Sequence, residues 1–342
     1  MTRVLCGLHA QVMSSAELTA WARLDRLGKD AVSKQLWNKR GLVKSWTLRG
    51  TLHLMPASEY DLWIGALANY RHYHRASWLK FFGVTEKELQ RVLDAVGDVL
   101  GDEPITREEL ARAVEKKVRS KALGETLRSG WGSLLKPASF QGKLCYGPSQ
   151  GQNVTFIGPE AWLGRKLEVP DPEDALREVS RKFALLNGPV SREELARWWY
   201  GFSAAQAGKM LDSIPDLVPV DVEGQRRYLA AKEVDAAFKA DARNEVHLLP
   251  AFDQYVVMSP RDPAVLDPKM KAKVFRKAAW LSPVLLVDGR IEGVWWWERK
   301  GNRLAVRFEP FSKQPLRVKK AAGMEAERLA TFLGGDLEVA WP

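Results

Sequence analysis

Two residues near the N-terminus have side chains able to do chemistry. In "LCGLHAQVMSS", positions 5–15, an apolar run is interrupted by His9 and Gln11, with Ala10 between them. An imidazole can take up a proton near neutral pH, and a carboxamide can both donate to and accept from a water molecule. In an extended segment, residues two apart project from the same face, so both polar tips would meet there. Two readings stand at this level. The pair handles water, or His9 is a buried or capping residue and Gln11 a polar residue beside the cap of the following helix.

The rest of the chain bounds what such a pair could serve. It has 342 residues, more than one core usually organises, so two to four domains are expected. With 46% hydrophobic and 27% charged residues the composition is that of a folded globular protein. The net charge of +10 favours anionic partners, nucleic acid ahead of a membrane surface. Cys6 and Cys145 lie far apart and form no Cys/His cluster, so neither a metal site nor a cofactor is expected, and a reducing, cytoplasmic setting is. The N-terminus turns polar too soon for a secretory leader, and no apolar run approaches the roughly 18 residues of a membrane span.

An internal repeat supplies the organisation. Residues 105–112 read "ITREELAR" and residues 190–197 read "VSREELAR", each after a proline. Both carry the capping-box pattern, Thr106 with Glu109 and Ser191 with Glu194, which satisfies orphan N–H groups at a helix start. A fainter copy is Ser14 with Glu17 in "SSAELTAWARL". Each start leads into a second helical stretch and then two short strands about a turn: Arg49-Gly50, "SQGQ" and "EGQR". The latter two copies are also preceded by a helix, around 85–100 and 173–187. Helix, turn, helix, hairpin is the order of a winged helix.

From about 245 the texture changes to apolar runs separated by Asp-Gly and Lys-Gly-Asn turns, which is strand chemistry. "HLLPAFDQYVV" is read as part of it, and 259–277 as a polar excursion. The triplet Trp295-Trp296-Trp297 must put at least one ring on an outer face, to stack on a base or to cover a helix. The expected fold is therefore α+β: winged helices over 1–80, 81–165 and 166–240, then a small antiparallel β-barrel over 241–342 with a closing helix at about 322–333.

Winged helices make double-stranded DNA the default partner. The candidate phosphate contacts are Lys39, Arg40, Lys44, Arg49, Arg71, Arg75, Lys116, Lys117, Arg119, Lys121 and Arg128, with His53 beside Arg49 on the same strand face. Most could equally be solvated helix faces. Regulators usually carry one such unit and dimerise over a palindrome, so three in one monomer suggest wrapping a duplex to act at one position. Asp253 in "PAFDQY" is a candidate to orient a site residue or to cap a turn.

Taken together, "GLHAQ", "RGTLHL" at 49–54, "LNGPVSREELARWW" at 186–199, "HLLPAFDQYVV" at 247–257 and "LLVDGRIEGVWW" at 285–296 carry a whole-chain resemblance. The chain resembles the AlkZ/YcaQ-like winged-helix DNA glycosylases. That resemblance implies a monomer of tandem winged helices with a C-terminal barrel around damaged DNA. It implies excision of N7-alkylated purines, including bulky adducts and interstrand crosslinks. The family's catalytic motif is Gln-apolar-Gln, or Gln-apolar-Asp in another branch. Aligned on "GLHAQ", its two positions fall on His9 and Gln11, so histidine stands here where glutamine is usual. A competing expectation from that departure is a protein that binds DNA as a regulator or lesion sensor without catalysis.

Overall fold

The computed structural model describes residues 1–128, 133–240, 245–258 and 262–342. Residues 129–132 of the second repeat and 259–261 of the polar excursion lie outside them. The chain divides into two compact units. One comprises Met1, Leu8–Val32 and Asp235–Pro342; the other comprises Thr2–Gly7 and Ser33–Val234.

The second unit carries the two "REELAR" copies and the hairpins, while the helix of the fainter first copy lies in the first unit. Thr106 and Ser191 are N-caps of the helices Arg107–Val118 and Arg192–Trp199, each with a complete capping box to Glu109 and Glu194. Two further boxes, Thr85 with Glu88 and Ser203 with Gln206, open the helices Glu86–Val99 and Ala204–Asp212. The hairpins follow as expected. Leu42–Trp46 pairs with Leu52–Pro56, Cys145–Gln150 with Asn153–Ile157, and Leu217–Val222 with Gln225–Ala230. The third turn is tighter than "EGQR" suggests: Val222 pairs with Gln225, and Glu223 and Gly224 both take positive φ, as a two-residue hairpin turn requires. The two "REELAR" copies are also alike in three dimensions. Ile105 pairs with Phe156 and Val190 with Tyr228, so the residue ahead of each capping box adds to its own hairpin.

The first unit joins the two ends of the chain. Its centre is a five-stranded sheet among the described residues, in the order Asp336–Ala340, Arg303–Pro310, Arg290–Lys300, Val284–Val287, Val246–Leu249. The Asp288-Gly289 turn joins Val287 to Arg290, both turn residues at positive φ. Every residue of "VLLV" is buried because the sheet is covered on both faces. Leu285 and Val287 face a core containing Trp295, Val306, Leu18 and Trp21. Val284 and Leu286 face one containing Val256, Leu266 and Val274. The helix Leu316–Leu333 supplies the first core through Val318, Ala322, Ala326, Leu329 and Phe332, a stripe at helical spacing.

Three expectations change here. The antiparallel barrel is an open mixed sheet: Val246–Leu249 and Asp336–Ala340 stand at opposite edges, and the latter pairs parallel with Arg303–Pro310. Helices on both faces do the burying that barrel closure would have done. The strand expected through "FDQYVV" ends at Leu249, and Gln254–Met258 is a short helix. The Ser14/Glu17 box is absent: the helix Met13–Trp21 starts two residues earlier than that box would set it, with Val12 as N-cap and no side-chain cap. That helix packs with the C-terminal sheet, so its start is set by burial of Leu18 and Trp21 and not by a cap.

Its far end is held by two arginines. Arg23 forms a bidentate pair with the fully buried Asp253, Nη1–Oδ2 2.7 Å and Nη2–Oδ1 2.8 Å, and also donates to the Thr19 carbonyl. Arg328 donates to the Trp21 carbonyl at 2.9 Å and lies 4.2 Å over the Trp21 ring. Arg23→Ala would leave a buried carboxylate without its cation and is expected to cost about 3–5 kcal/mol. Thr106→Ala, which removes one N-cap, should cost only about 1 kcal/mol. Denaturant midpoints of the two variants check that order. Burial pushes the Cys6 thiol up to about 12 and raises Cys145 as well, and both are buried. Since the thiolate is the reactive form, neither should be labelled by a thiol reagent at pH 8 until the protein is unfolded. Fast labelling of the folded protein would contradict this burial.

Candidate active site

The approach to His9 is set by backbone strain and by glycine. Cys6 and Gly7 both have positive φ, 55° and 91°. A Cβ at Gly7 would lie 2.5 Å from the Met55 sulfur, so no other residue fits there without displacement. The chain is extended only over Leu8–His9 and then bends at Gln11 before the helix Met13–Trp21. His9 is 6% exposed and Ala10 fully buried, whereas Gln11 is exposed. The strand ends at His9, so extended spacing alone does not bring the two polar tips to one face. A buried imidazole is followed by an exposed carboxamide.

What holds the His9 ring is a residue the sequence reading did not single out. Phe252 stacks on it with centroids 4.9 Å apart and planes 11° from parallel. Phe252 sits at φ 58°, a left-handed conformation rare for an aromatic residue. The next residue, Asp253, explains how that conformation is kept. Besides its pair with Arg23, its Oδ1 accepts the Tyr255 N–H at 2.9 Å, and its carbonyl accepts the Val257 N–H. Asp253 thus both caps a turn and anchors the residue that backs His9, which joins the two roles its sequence position suggested. Phe252 also meets Trp280 edge-on, with centroids 4.9 Å apart, and Trp280 is 43% exposed.

The candidate phosphate contacts all lie in the second unit and divide by environment. Lys39, Arg40, Arg71, Arg75, Lys116, Arg119 and Lys121 are exposed, Arg40 lying 4.7 Å over the Trp162 ring and Lys121 4.0 Å from Glu125. Lys117 is exposed and paired with Asp98. Lys44 is half-buried over Tyr146, and burial holds its amine below the usual lysine range. Arg128 is held by Glu108 at 3.1 Å and Glu115 at 2.7 Å, and those carboxylates raise its already high pKa, so its charge is spent within the fold.

Arg49 and His53 have structural environments. The Arg49 guanidinium donates to the Trp198 carbonyl at 3.2 Å. The Arg49 backbone N–H donates to the Tyr70 hydroxyl, which in turn donates to the Trp199 carbonyl at 2.7 Å. Together they satisfy the last carbonyls of the helix Arg192–Trp199, a C-terminal cap supplied by a distant hairpin. His53 is fully buried, with Nδ1 3.1 Å from the Thr51 carbonyl, and has no surface to offer a duplex. Arg49 lies in the turn ahead of the strand Leu52–Pro56, at φ 55°, so the two do not share a strand face as alternation predicts. In the tryptophan triplet, Trp295 is buried and donates to the Leu249 carbonyl, while Trp296 is the exposed ring. No group of three metal-ligating side chains occurs among the described residues, and no helix among them is long and apolar enough to cross a membrane.

Comparison with known proteins connects this arrangement to a reaction. The signature of the family described as DNA glycosylase AlkZ-like matches residues 2–332. The chain is similar to an interstrand DNA cross-link repair glycosylase of Streptomyces sahachiroi, 32% identical over 336 residues, which cover 96% of this chain and 89% of that protein. Its fold is similar to the solved structure of the Streptomyces sahachiroi DNA glycosylase AlkZ, with a TM-score of 0.89 over 100% of this chain and 92% of that one. Sequence and fold agree over both compact units, and so the chain belongs to the AlkZ-like DNA glycosylase family, a family of enzymes.

Proposed function

We propose that this protein is a monomeric, cytoplasmic DNA glycosylase that hydrolyses the N-glycosidic bond of alkylated purines in damaged duplex DNA. N7-alkylguanine is the simplest substrate, with bulky adducts and interstrand crosslinks in the same class. The observation that carries the reading is the His9–Phe252 stack beside the exposed Gln11, at the position where the family places its catalytic pair. The similar Streptomyces protein is described as acting on interstrand crosslinks, which supports the wider lesion range. We read the helix–helix–hairpin repeats as three winged-helix units over 1–80, 81–165 and 166–240, with 241–342 as the fourth domain. The exposed Lys39, Arg40, Arg71, Arg75, Lys116, Arg119 and Lys121 are then phosphate contacts, sensitive to salt.

The chemistry asks little of the protein. An N7-alkylguanine is cationic, so its glycosidic bond is already weakened and the base departs neutral without a strong general acid. What remains is to hold a water on the far side of C1′ and to stabilise an oxocarbenium-like sugar. Gln11 accepts from that water through its carbonyl and donates to the sugar-phosphate backbone through its amide. His9 takes the water's proton as it attacks, a role for which neutral imidazole is better suited than the usual glutamine. With its ring plane set by Phe252, the imidazole enters the reaction already oriented. The motif contains no lysine, so the reading is of a monofunctional hydrolase that uses water and forms no Schiff base.

The test is incubation with duplexes carrying N7-methylguanine or a nitrogen-mustard crosslink, followed by alkali to break the strand at abasic sites. Strand breaks are expected with the wild type, and their absence with both lesions would sink the proposal. His9→Ala should lower single-turnover excision by about 10²–10⁴-fold. Gln11→Ala should lower it by about 10²-fold or more. Both variants should keep their affinity for duplex. Loss of binding together with excision would mark the pair as structural. Arg128→Gln should leave affinity and salt dependence as they are, because its charge is already paired, whereas Arg119→Gln should reduce the salt slope by about 1.

A further inference from the structure

The first unit carries a second, unassigned cationic element. Between Pro268 and Trp280 the sequence "PKMKAKVFRKAAW" has five cations and no carboxylate. Lys273 is paired with Glu309, while Lys269, Lys271, Arg276 and Lys277 are exposed. The end of this segment is a tight loop. Phe275 bridges to Leu281, the Arg276 N–H donates to the Trp280 carbonyl at 2.8 Å, and Ser282 N–H donates to Val274. At its tip Ala278 and Ala279 both take positive φ, 56° and 57°. Two successive left-handed alanines are unfavourable for residues with a Cβ, so the rest of the loop must enforce them. Their effect is to present Arg276, Lys277 and Trp280 together.

Those three side chains line an open cleft of ≈ 660 Å³ with Phe275. Arg276 also lines a second cleft of ≈ 360 Å³ whose wall includes the exposed Trp296. Arg276 thus lines two clefts, each walled in part by an exposed indole. One of these, Trp280, is in ring contact with Phe252, which is stacked on His9. A large exposed indole flanked by cations suits a polyanion that also offers flat aromatic surfaces, and DNA does both.

We propose that the loop Phe275–Leu281 engages the lesion-bearing strand, with Trp280 stacking on a nucleobase beside the lesion and Arg276 and Lys277 holding its flanking phosphates. Trp280 is a positioning residue in this proposal: it fixes the strand relative to the His9–Phe252 stack and does not touch the reacting atoms. The proposal rests on the glycosylase reading for its choice of strand, but stacking is read separately from excision.

The probe is a duplex carrying 2-aminopurine next to N7-methylguanine. A 2′-fluoro sugar at the lesion prevents cleavage in binding measurements, and the ordinary sugar is used for single-turnover excision. For the wild type, binding should change the 2-aminopurine fluorescence. Trp280→Ala should abolish that change and weaken affinity by about 5–150-fold, the range for losing one base–aromatic stack. Trp280→Phe should restore most of both. Arg276→Gln and Lys277→Gln should each lower the slope of log affinity against log salt by about 1 while keeping the fluorescence change. Because Trp280 is exposed, its thermal midpoint should be that of the wild type.

A Trp280→Ala variant with unchanged affinity and fluorescence overturns the proposal, even where the wild type excises normally. So does a fall in thermal midpoint that accompanies the loss of binding and is not rescued by phenylalanine. A wild type that shows the fluorescence change but no excision leaves the stacking intact and removes the catalytic reading instead. A wild type that binds no duplex removes both.

Discussion

The candidate site depends on one ion pair, the half-buried Arg23 with the fully buried Asp253. Its two short hydrogen bonds join the end of the helix Met13–Trp21 to a turn more than 200 residues later in the chain. A pair of this kind adds little net stability compared with apolar residues of the same shape, because desolvating both charges offsets their attraction. What it does impose is geometry, since a guanidinium fork accepts a carboxylate in few orientations. With Asp253 placed, Phe252 is held in a backbone conformation that aromatic residues avoid, and His9 acquires a flat partner. Arg328 performs a similar service at Trp21. Charge is used here to specify a shape, while the apolar stripe of Leu316–Leu333 and the two-faced sheet supply the burial.

The same economy explains why the first unit unites the two ends of the chain. The segment bearing His9 and Gln11 is too short to bury anything alone, and its helix has no side-chain cap at its N-terminus. It borrows a core from the sheet. Contacts of such sequence separation are entropically expensive to close, so the unit is expected to complete late in folding. The second unit is different in kind. Its helices begin at capping boxes and its hairpins close over short turns, so most of its structure is specified within a few residues.

Histidine at position 9 gains its interest from these surroundings. In isolation it is a single departure from a glutamine pattern. Reached through a strained backbone and stacked on a clamped phenylalanine, it is a residue whose orientation the fold takes trouble to keep. Arg49 shows the opposite outcome: a basic residue in a repeated motif, in a family that binds DNA, whose guanidinium caps a helix of its own unit. Charge and motif alone do not separate these cases.

By itself the sequence determined what is local. Capping boxes at Thr106 and Ser191, the preceding helices and the hairpin turns were legible because helix starts and turns are decided by neighbours in the chain. The family, and with it the importance of "GLHAQ", was legible from the order of short motifs along the whole length. Only the tertiary structure decided the rest. It opened the expected barrel into a sheet covered on both faces, because helices far apart in sequence did the burying. It buried His53, paired Arg128 and turned Arg49 inward, since exposure and pairing depend on segments that no local pattern names. And it placed Phe252 against His9, with Arg23 holding the adjacent Asp253 and Trp280 meeting Phe252, an arrangement assembled from opposite ends of the chain, where residue spacing carries no information about distance.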